Sequence, residues 1–176
     1  MKNIFPLIET KELASLGPEA RTDRLAISEL DGELKKYFQR THLQSNQQEL
    51  IRALILLWHD HQDEAHAIAQ EIHSADGSFV HGILHRREPD YGNAKYWFHR
   101  VGPHPAFPII AQRTKEIAVA QTEKNLLAKI SPNQIWDPFA FIDACEGAGK
   151  LSSGDDLFLR KLQQIEFRVL LEQFCG

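Results

Sequence analysis

The chain is poor in cysteine: Cys145 and Cys175 are its two thiols in 176 residues. Their spacing fits no zinc motif and builds no disulfide framework. The simplest reading is two reduced thiols in a cytoplasmic protein, with a bridge between them as the alternative. Long apolar runs are also missing. The longest, Ala53–Trp58, is far below the ~20 residues that a membrane span needs, so no membrane partner is expected. The first residues, Met1–Glu9, are interrupted by Pro6 and followed by no small-residue cleavage site, which does not read as a signal peptide.

Basic charge is in deficit. Lys and Arg number 20 against 24 Asp and Glu, a net charge of -4, whereas a general nucleic-acid surface shows a basic excess. No nucleic-acid partner is therefore expected. Strand signals are lacking as well: no period-2 run is bounded by turn residues, and no Asn-Gly or Asp-Gly hairpin separates two such runs. There is no repeat and no low-complexity tract.

What the chain has is helix punctuation. Ser45 with Gln48 reads as a capping box opening a long helix to about His73. Asp76 or Ser78 can cap a second helix, ended by Glu88-Pro89, since the residue before proline avoids the helical region. Asp90 or Asn93 caps a third, ended by Gly102-Pro103. Ser131-Pro132 and Asp137-Pro138 each pair a capping residue with proline at the first helical position. Ser153 opens the last helix, which ends near Phe174. Weaker helical patterns cover Lys11–Ser15, Asp23–Phe38 and Pro108–Leu127. The expected fold is all-α: one compact domain of about seven or eight helices around a long central one. The proline-rich stretch Gly102–Pro108 reads as a stiff loop suited to closing over something.

The chain also has histidine, concentrated in one place. Eight of its nine histidines lie between His59 and His104. Histidine is the commonest metal ligand and titrates near neutral pH. On a continuous helix, His59, Asp63 and His66 share a face at ligand spacing, with Gln70 and His73 further along it. The apolar stripe takes His61, and Asp60, Glu64 and Glu71 form an acidic, solvent-facing stripe. In the next helix His81, His85 and Glu88 lie together at i, i+4 and i+7, opposite the apolar side. Two imidazoles and a carboxylate so spaced can make a three-ligand site with an open position. The expected metal ligands are thus His59, Asp63, His66, His81, His85 and Glu88, for a divalent transition metal such as Zn, Mn or Fe.

Charge divides the window. From His59 to Asp76 there are five acids and no base; from His81 to His104 there are Arg86, Arg87, Lys95 and Arg100 against Glu88 and Asp90. The first half suits a cation. The second suits an anion, since arginine presents a planar fork to carboxylate or phosphate. Arg86, Arg87, Lys95, Tyr96 and Arg100 are therefore the expected contacts to a small anionic substrate. The competing reading is ion pairing between the two halves, such as Asp63 or Glu64 with Arg86 or Arg87. His99 or His104, if unligated, is the expected general base. Trp97 shares a face with Ala94 and Val101 and is expected in the core.

The stretch His81-Gly82-Ile83-Leu84-His85-Arg86-Arg87-Glu88-Pro89-Asp90-Tyr91-Gly92-Asn93-Ala94-Lys95-Tyr96-Trp97, with Trp58-His59-Asp60-His61 upstream, resembles a family of bacterial and fungal hypothetical proteins of unassigned activity. The resemblance spans about Trp58 to Phe107 and implies a shared site region, with no role carried to any residue. His59-Asp60 also resembles the metal-binding doublet of the HD-type phosphohydrolases, for which His42 and Asp143 would be the remaining ligands.

Three functions follow from these residues: a metal-dependent, hydrolase-like enzyme acting on a small anion; a metal-free anion-binding or regulatory module; and a structural helical protein with a buried histidine network.

Overall fold

A computed structural model describes residues 3–148 and 153–176, and every regular element among them is helical. Nine α-helices follow one another: α1 Ile27–Phe38, α2 Ser45–Trp58, α3 Gln62–Ala69, α4 Ala75–Arg87, α5 Tyr91–Val101, α6 Ala106–Ile117, α7 Gln121–Ile130, α8 Pro138–Glu146 and α9 Ser153–Cys175. Two single 3-10 turns, at Phe5–Ile8 and Pro132–Gln134, complete the set. The all-α expectation holds, and the helix count is close to the expected one. No described helix is long and apolar enough to cross a membrane. Both cysteines are free.

Helix α2 is the centre. Every residue from Leu50 to Trp58 except Arg52 is buried, as befits a helix apolar on nearly all sides. It packs against α3, α4 and α9 and carries α1 on its outer side. Its entry is one residue earlier than expected: the Gln44 backbone N–H donates to Gln47 Oε1 at 2.9 Å, the reciprocal half of a capping box. Other caps fall where the sequence places them. The Asp90 carboxylate accepts from the Asn93 N–H, and Asp137 accepts from Phe139 and Ala140. Ser74, immediately before α4, takes the capping role expected of Asp76 or Ser78.

The long central helix does not form as one piece. It breaks after Trp58, where Asp60 adopts a left-handed conformation, φ 62°. That conformation is costly for a residue with a Cβ, and tertiary bonds hold it. Both Asp60 oxygens are taken by arginines: Oδ2 accepts from the Arg21 N–H at 2.9 Å and Arg21 Nε at 3.0 Å, and Oδ1 accepts from an Arg87 amino group at 2.6 Å. The expected solvent-facing acidic stripe holds for Glu64 and Glu71, which are exposed, and is corrected for Asp60, which is buried.

The same junction holds the N-terminal arm, residues 4–26. Arg21 donates to Thr10 Oγ1, the Glu12 carbonyl and the Trp58 carbonyl. Trp58 Nε1 donates to Thr10 Oγ1, and Arg87 donates to the carbonyls of Ser15 and Leu57. Backbone groups of Glu12 and Ser15 are spent on these bonds, and the helix expected at Lys11–Ser15 is absent. The pattern at Pro108–Leu127 likewise splits into α6 and α7, because Glu123 accepts from the N–H groups of Val119 and Ala120 and starts a new helix there. Ser131-Pro132 opens only a 3-10 turn, ended by left-handed Asn133 and Gln134.

Helices α4 and α5 form a tight antiparallel hairpin through Glu88-Pro89-Asp90. Gly82 allows their close approach: a Cβ there would lie 2.7 Å from the Phe98 ring.

Candidate functional site

Helices α3, α4 and α5 converge on one histidine triangle. His66 comes from α3, and His81 and His85 from successive turns of α4. One ligand nitrogen from each lies within 4.8 Å of the other two. A tetrahedral Zn–N site has an N···N edge of about 3.3 Å, so modest side-chain rotation closes the set. The rings are packed together: His81 stacks on His85 with centroids 4.7 Å apart and planes at 20°, and His66 meets both edge-on. His81 and His85 are buried, and His66 is half-buried, so the triangle opens past the α3 side.

The hydrogen bonds of the three rings differ. His85 Nδ1 donates to Glu88 Oε2 at 2.8 Å, while Asn93 Nδ2 donates to His85 Nε2 at 3.1 Å. The partners fix the tautomer, with the proton on Nδ1. A carboxylate behind one nitrogen is how proteins orient a metal-binding imidazole; the Nε2 lone pair here accepts from Asn93, a bond that an ion would have to displace. Burial lowers the His85 pKa, and Glu88 pulls it back only in part. His81 has no partner at either nitrogen although both are buried. A neutral imidazole carries one donor and one acceptor, and leaving such a group unsatisfied costs about 1–3 kcal/mol. Burial, then the neighbouring His85 and His66, push the His81 pKa down to about 3. The ring is therefore neutral at pH 7, the form a metal ion takes.

The far face of the triangle is α5. Trp97, expected in the core, is half-buried and stacks on His81, centroids 4.0 Å apart at 18°. Asn93, one turn earlier, meets His85. Neither was singled out as a site residue from the sequence. The available signal was the short α4–α5 turn, which makes an antiparallel hairpin and sets Asn93 and Trp97, four residues apart, opposite His85 and His81.

No family model, no curated protein and no solved structure matches the chain.

The remaining expected site residues are elsewhere. His59 is buried under the N-terminal arm: the Leu25 N–H donates to its Nδ1 at 3.1 Å, and its Nε2 donates to the Leu7 carbonyl at 2.8 Å. Both ring nitrogens are occupied, so its assignment as a ligand is corrected. With Asp60 held between two arginines, the metal-binding doublet implied by the second resemblance is corrected too. His61, outside the break, donates through Nε2 to the Leu25 carbonyl. Asp63 is exposed and lies outside the triangle, although it stays one turn from His66 on α3; the break separates both from His59.

Arg86 and Arg87 are fully buried and committed to protein partners, which corrects their assignment to an anionic substrate. Arg86 forms a two-pronged bond with Glu166, at 2.5 and 3.2 Å, donates to Gln163, and rests 4.4 Å from the Phe141 centroid. Burial opposes its charge, but Glu166 outweighs it and holds the guanidinium pKa above its ordinary value. Burial pushes the Glu166 carboxyl up, an effect that Arg86 restrains without reversing. The competing sequence reading, ion pairing, holds in altered form: Arg87 pairs with Asp60 rather than Asp63 or Glu64. Arg87 itself is lowered by burial, against the pull of Asp60.

Lys95 pairs with Asp143 of α8 at 2.6 Å, on the other side of α5. His104 is buried at the opposite end of α4, donating through Nε2 to Asp76 and accepting the Ala106 N–H at Nδ1. Those bonds pin the proline stretch as a short joint between α5 and α6, which corrects its reading as a closing loop. His99 is exposed beside Phe139 and lines a separate cavity of about 390 Å³ with Phe107 and Trp136. Neither His99 nor His104 belongs to the histidine triangle, so neither is placed as its base. Tyr96 and Arg100 stay near it through Trp97: the Arg100 guanidinium carbon is 5.3 Å from the Trp97 centroid and 5.9 Å from that of Tyr96.

Proposed function

We propose that His66, His81 and His85 hold a divalent transition metal such as Zn, Mn or Fe, and that the site acts hydrolytically on a small anionic molecule. The observation that carries this reading is the His81 imidazole, buried at both nitrogens with no partner, between two further imidazoles at ligand spacing. Such an ion supplies a Lewis acid and a bound water acidified toward neutral pH. The residues around it do the rest. Glu88 holds the His85 proton at Nδ1, so Nε2 is the ligand atom once it gives up its bond from Asn93; in this reading Glu88 orients a ligand rather than being one. Trp97 covers the His81 face and keeps water from it. Three protein ligands leave a coordination position for water or substrate.

A metal-free reading, in which the histidines form a structural network, draws on the Asn93–His85–Glu88 chain, which is complete without an ion. The two readings separate at His81. Elemental analysis of untagged protein and calorimetric titration with Zn²⁺, Mn²⁺ and Fe²⁺ are the measurements, with His81→Phe as the variant. The metal reading expects one ion per chain, lost in the variant. No ion at any concentration tested, with His81→Phe less stable than the parent, would sink it in favour of the network.

A further inference from the structure

The triangle sits in a field that runs along α5. At the N-terminal end of that helix lie Glu88 and Asp90, both acting on His85. Next come Asn93 on His85 and Trp97 on His81. One turn further stands Arg100, exposed, its guanidinium against the Trp97 ring and 3.5 Å from the Tyr96 hydroxyl. Arg86, Arg87 and Lys95 each have a carboxylate partner; Arg100 has none among the described residues. It is thus the arginine of this hairpin whose planar fork is available to an oxyanion.

We propose that Arg100 is the anion-holding residue of this site, and that its ligand is a small dianion with one oxyanion at the histidine triangle and the other on Arg100. The inference rests on the metal reading above. One anionic group is drawn to the metal. The acidic end at Glu88 and Asp90 repels the other, and the guanidinium attracts it, so the molecule lies along α5 across the Trp97 indole. The guanidinium and the His81 ring both pack against that indole. Dicarboxylates and phosphorylated carboxylates share this chemistry. Tyr96, at the edge of Trp97, adds a hydroxyl beside the second oxyanion.

The test uses protein loaded with Co²⁺, whose visible spectrum changes when an anion enters the open position. Acetate, malonate, succinate, glutarate and phosphonoacetate are titrated against the parent, Arg100→Ala and Arg100→Lys. In the parent, at least one two-headed anion should bind about tenfold or more tighter than acetate, as a charge-assisted hydrogen bond provides. Arg100→Ala should remove that advantage and leave acetate unchanged; Arg100→Lys should keep part of it. Which ligand wins, dicarboxylate or phosphonate, identifies the second head group. Equal binding of acetate and all two-headed anions to the cobalt protein would overturn this inference alone. Failure to take up Co²⁺ would remove the metal reading and this inference with it.

Discussion

The Trp97 indole lies nearly parallel to the His81 imidazole, with 4.0 Å between ring centroids. A paramagnetic ion held by His81 is therefore in reach of this indole. Titration with Co²⁺ should quench part of the tryptophan emission, saturating at one equivalent. Trp97→Phe should abolish the change, since Trp58 is packed on Phe167 and Trp136 on Phe141, away from the triangle. Quenching that persists in Trp97→Phe would place the ion elsewhere.

Glu88 touches the site only through His85. Glu88→Gln should weaken metal binding about 10- to 100-fold, the usual consequence of losing a carboxylate behind a ligand imidazole. Its side chain is partly exposed, so the unfolding midpoint should move little, on the order of 1 kcal/mol or less. Calorimetry and urea denaturation on the same samples read both quantities.

Arg86→Met leaves Glu166 buried without its partner. Breaking a buried pair in this way costs about 3–5 kcal/mol, and denaturant unfolding should show it. Metal affinity of the folded variant should stay at the parent value, because Arg86 contacts Glu166, Gln163 and Phe141 rather than the triangle. A variant of parent stability with weakened ligand binding would return Arg86 to the site.

Acid should loosen the N-terminal arm. Burial holds His59 below its ordinary value of 6.5, because its Nδ1 must stay unprotonated to accept the Leu25 N–H. The unfolded chain takes up the proton first, so this contribution is intact above about pH 6.5 and is lost as pH falls from there. The slope is at most about 1.4 kcal/mol per pH unit for one group. Burial alone would raise the Asp60 carboxyl, but the Arg21 N–H and the Arg87 guanidinium outweigh it and hold it low. Its contribution is intact above 3.8 and lost below that. Stability measured from pH 7.5 to 3 should fall over the first window. His59→Gln should make that part of the curve shallower, with His81 and His85, also held low by burial, keeping the rest of the slope; the full parent slope in that variant would refute the assignment.

Gly82→Ala should destabilise the hairpin by about 1–3 kcal/mol, since the new methyl meets the Phe98 ring at 2.7 Å. Trp97 and Asn93 are carried by the displaced helix, so metal or anion affinity should fall in the same variant. Unchanged stability would mean that α5 can shift freely.

The helical class, most caps and the two imidazoles at i and i+4 of α4 were legible because they depend on residues within a few positions of one another. What was not legible depends on long-range bonds. Nothing local says that Asp60 leaves the helix: Arg21 and Arg87 take its carboxylate, 39 and 27 positions away. With that break unseen, His59 fell on the same face as Asp63 and His66. The paired arginines of α4 looked like an anion site for a similar reason, because Glu166 lies 80 positions on, on a buried face of α9 that is apolar apart from it and Gln163. Trp97 was assigned to the core from its own helix alone, whereas its partner His81 is on another.

The left-handed Asp60 has a consequence for how the protein matures. An unbroken helix would display His59, Asp63 and His66 on one surface, a chelating peptide able to seize an ion as soon as that segment became helical. The break dissolves that peptide. His66 meets His81 and His85 only after α3 has folded back on α4 and the arm has locked the junction. Until then the chain offers the two imidazoles of α4 and, apart from them, His66 with Asp63 on α3. On the metal reading, capture of the ion is then a reward of completed folding, and an unfinished chain rich in histidine is kept from hoarding one.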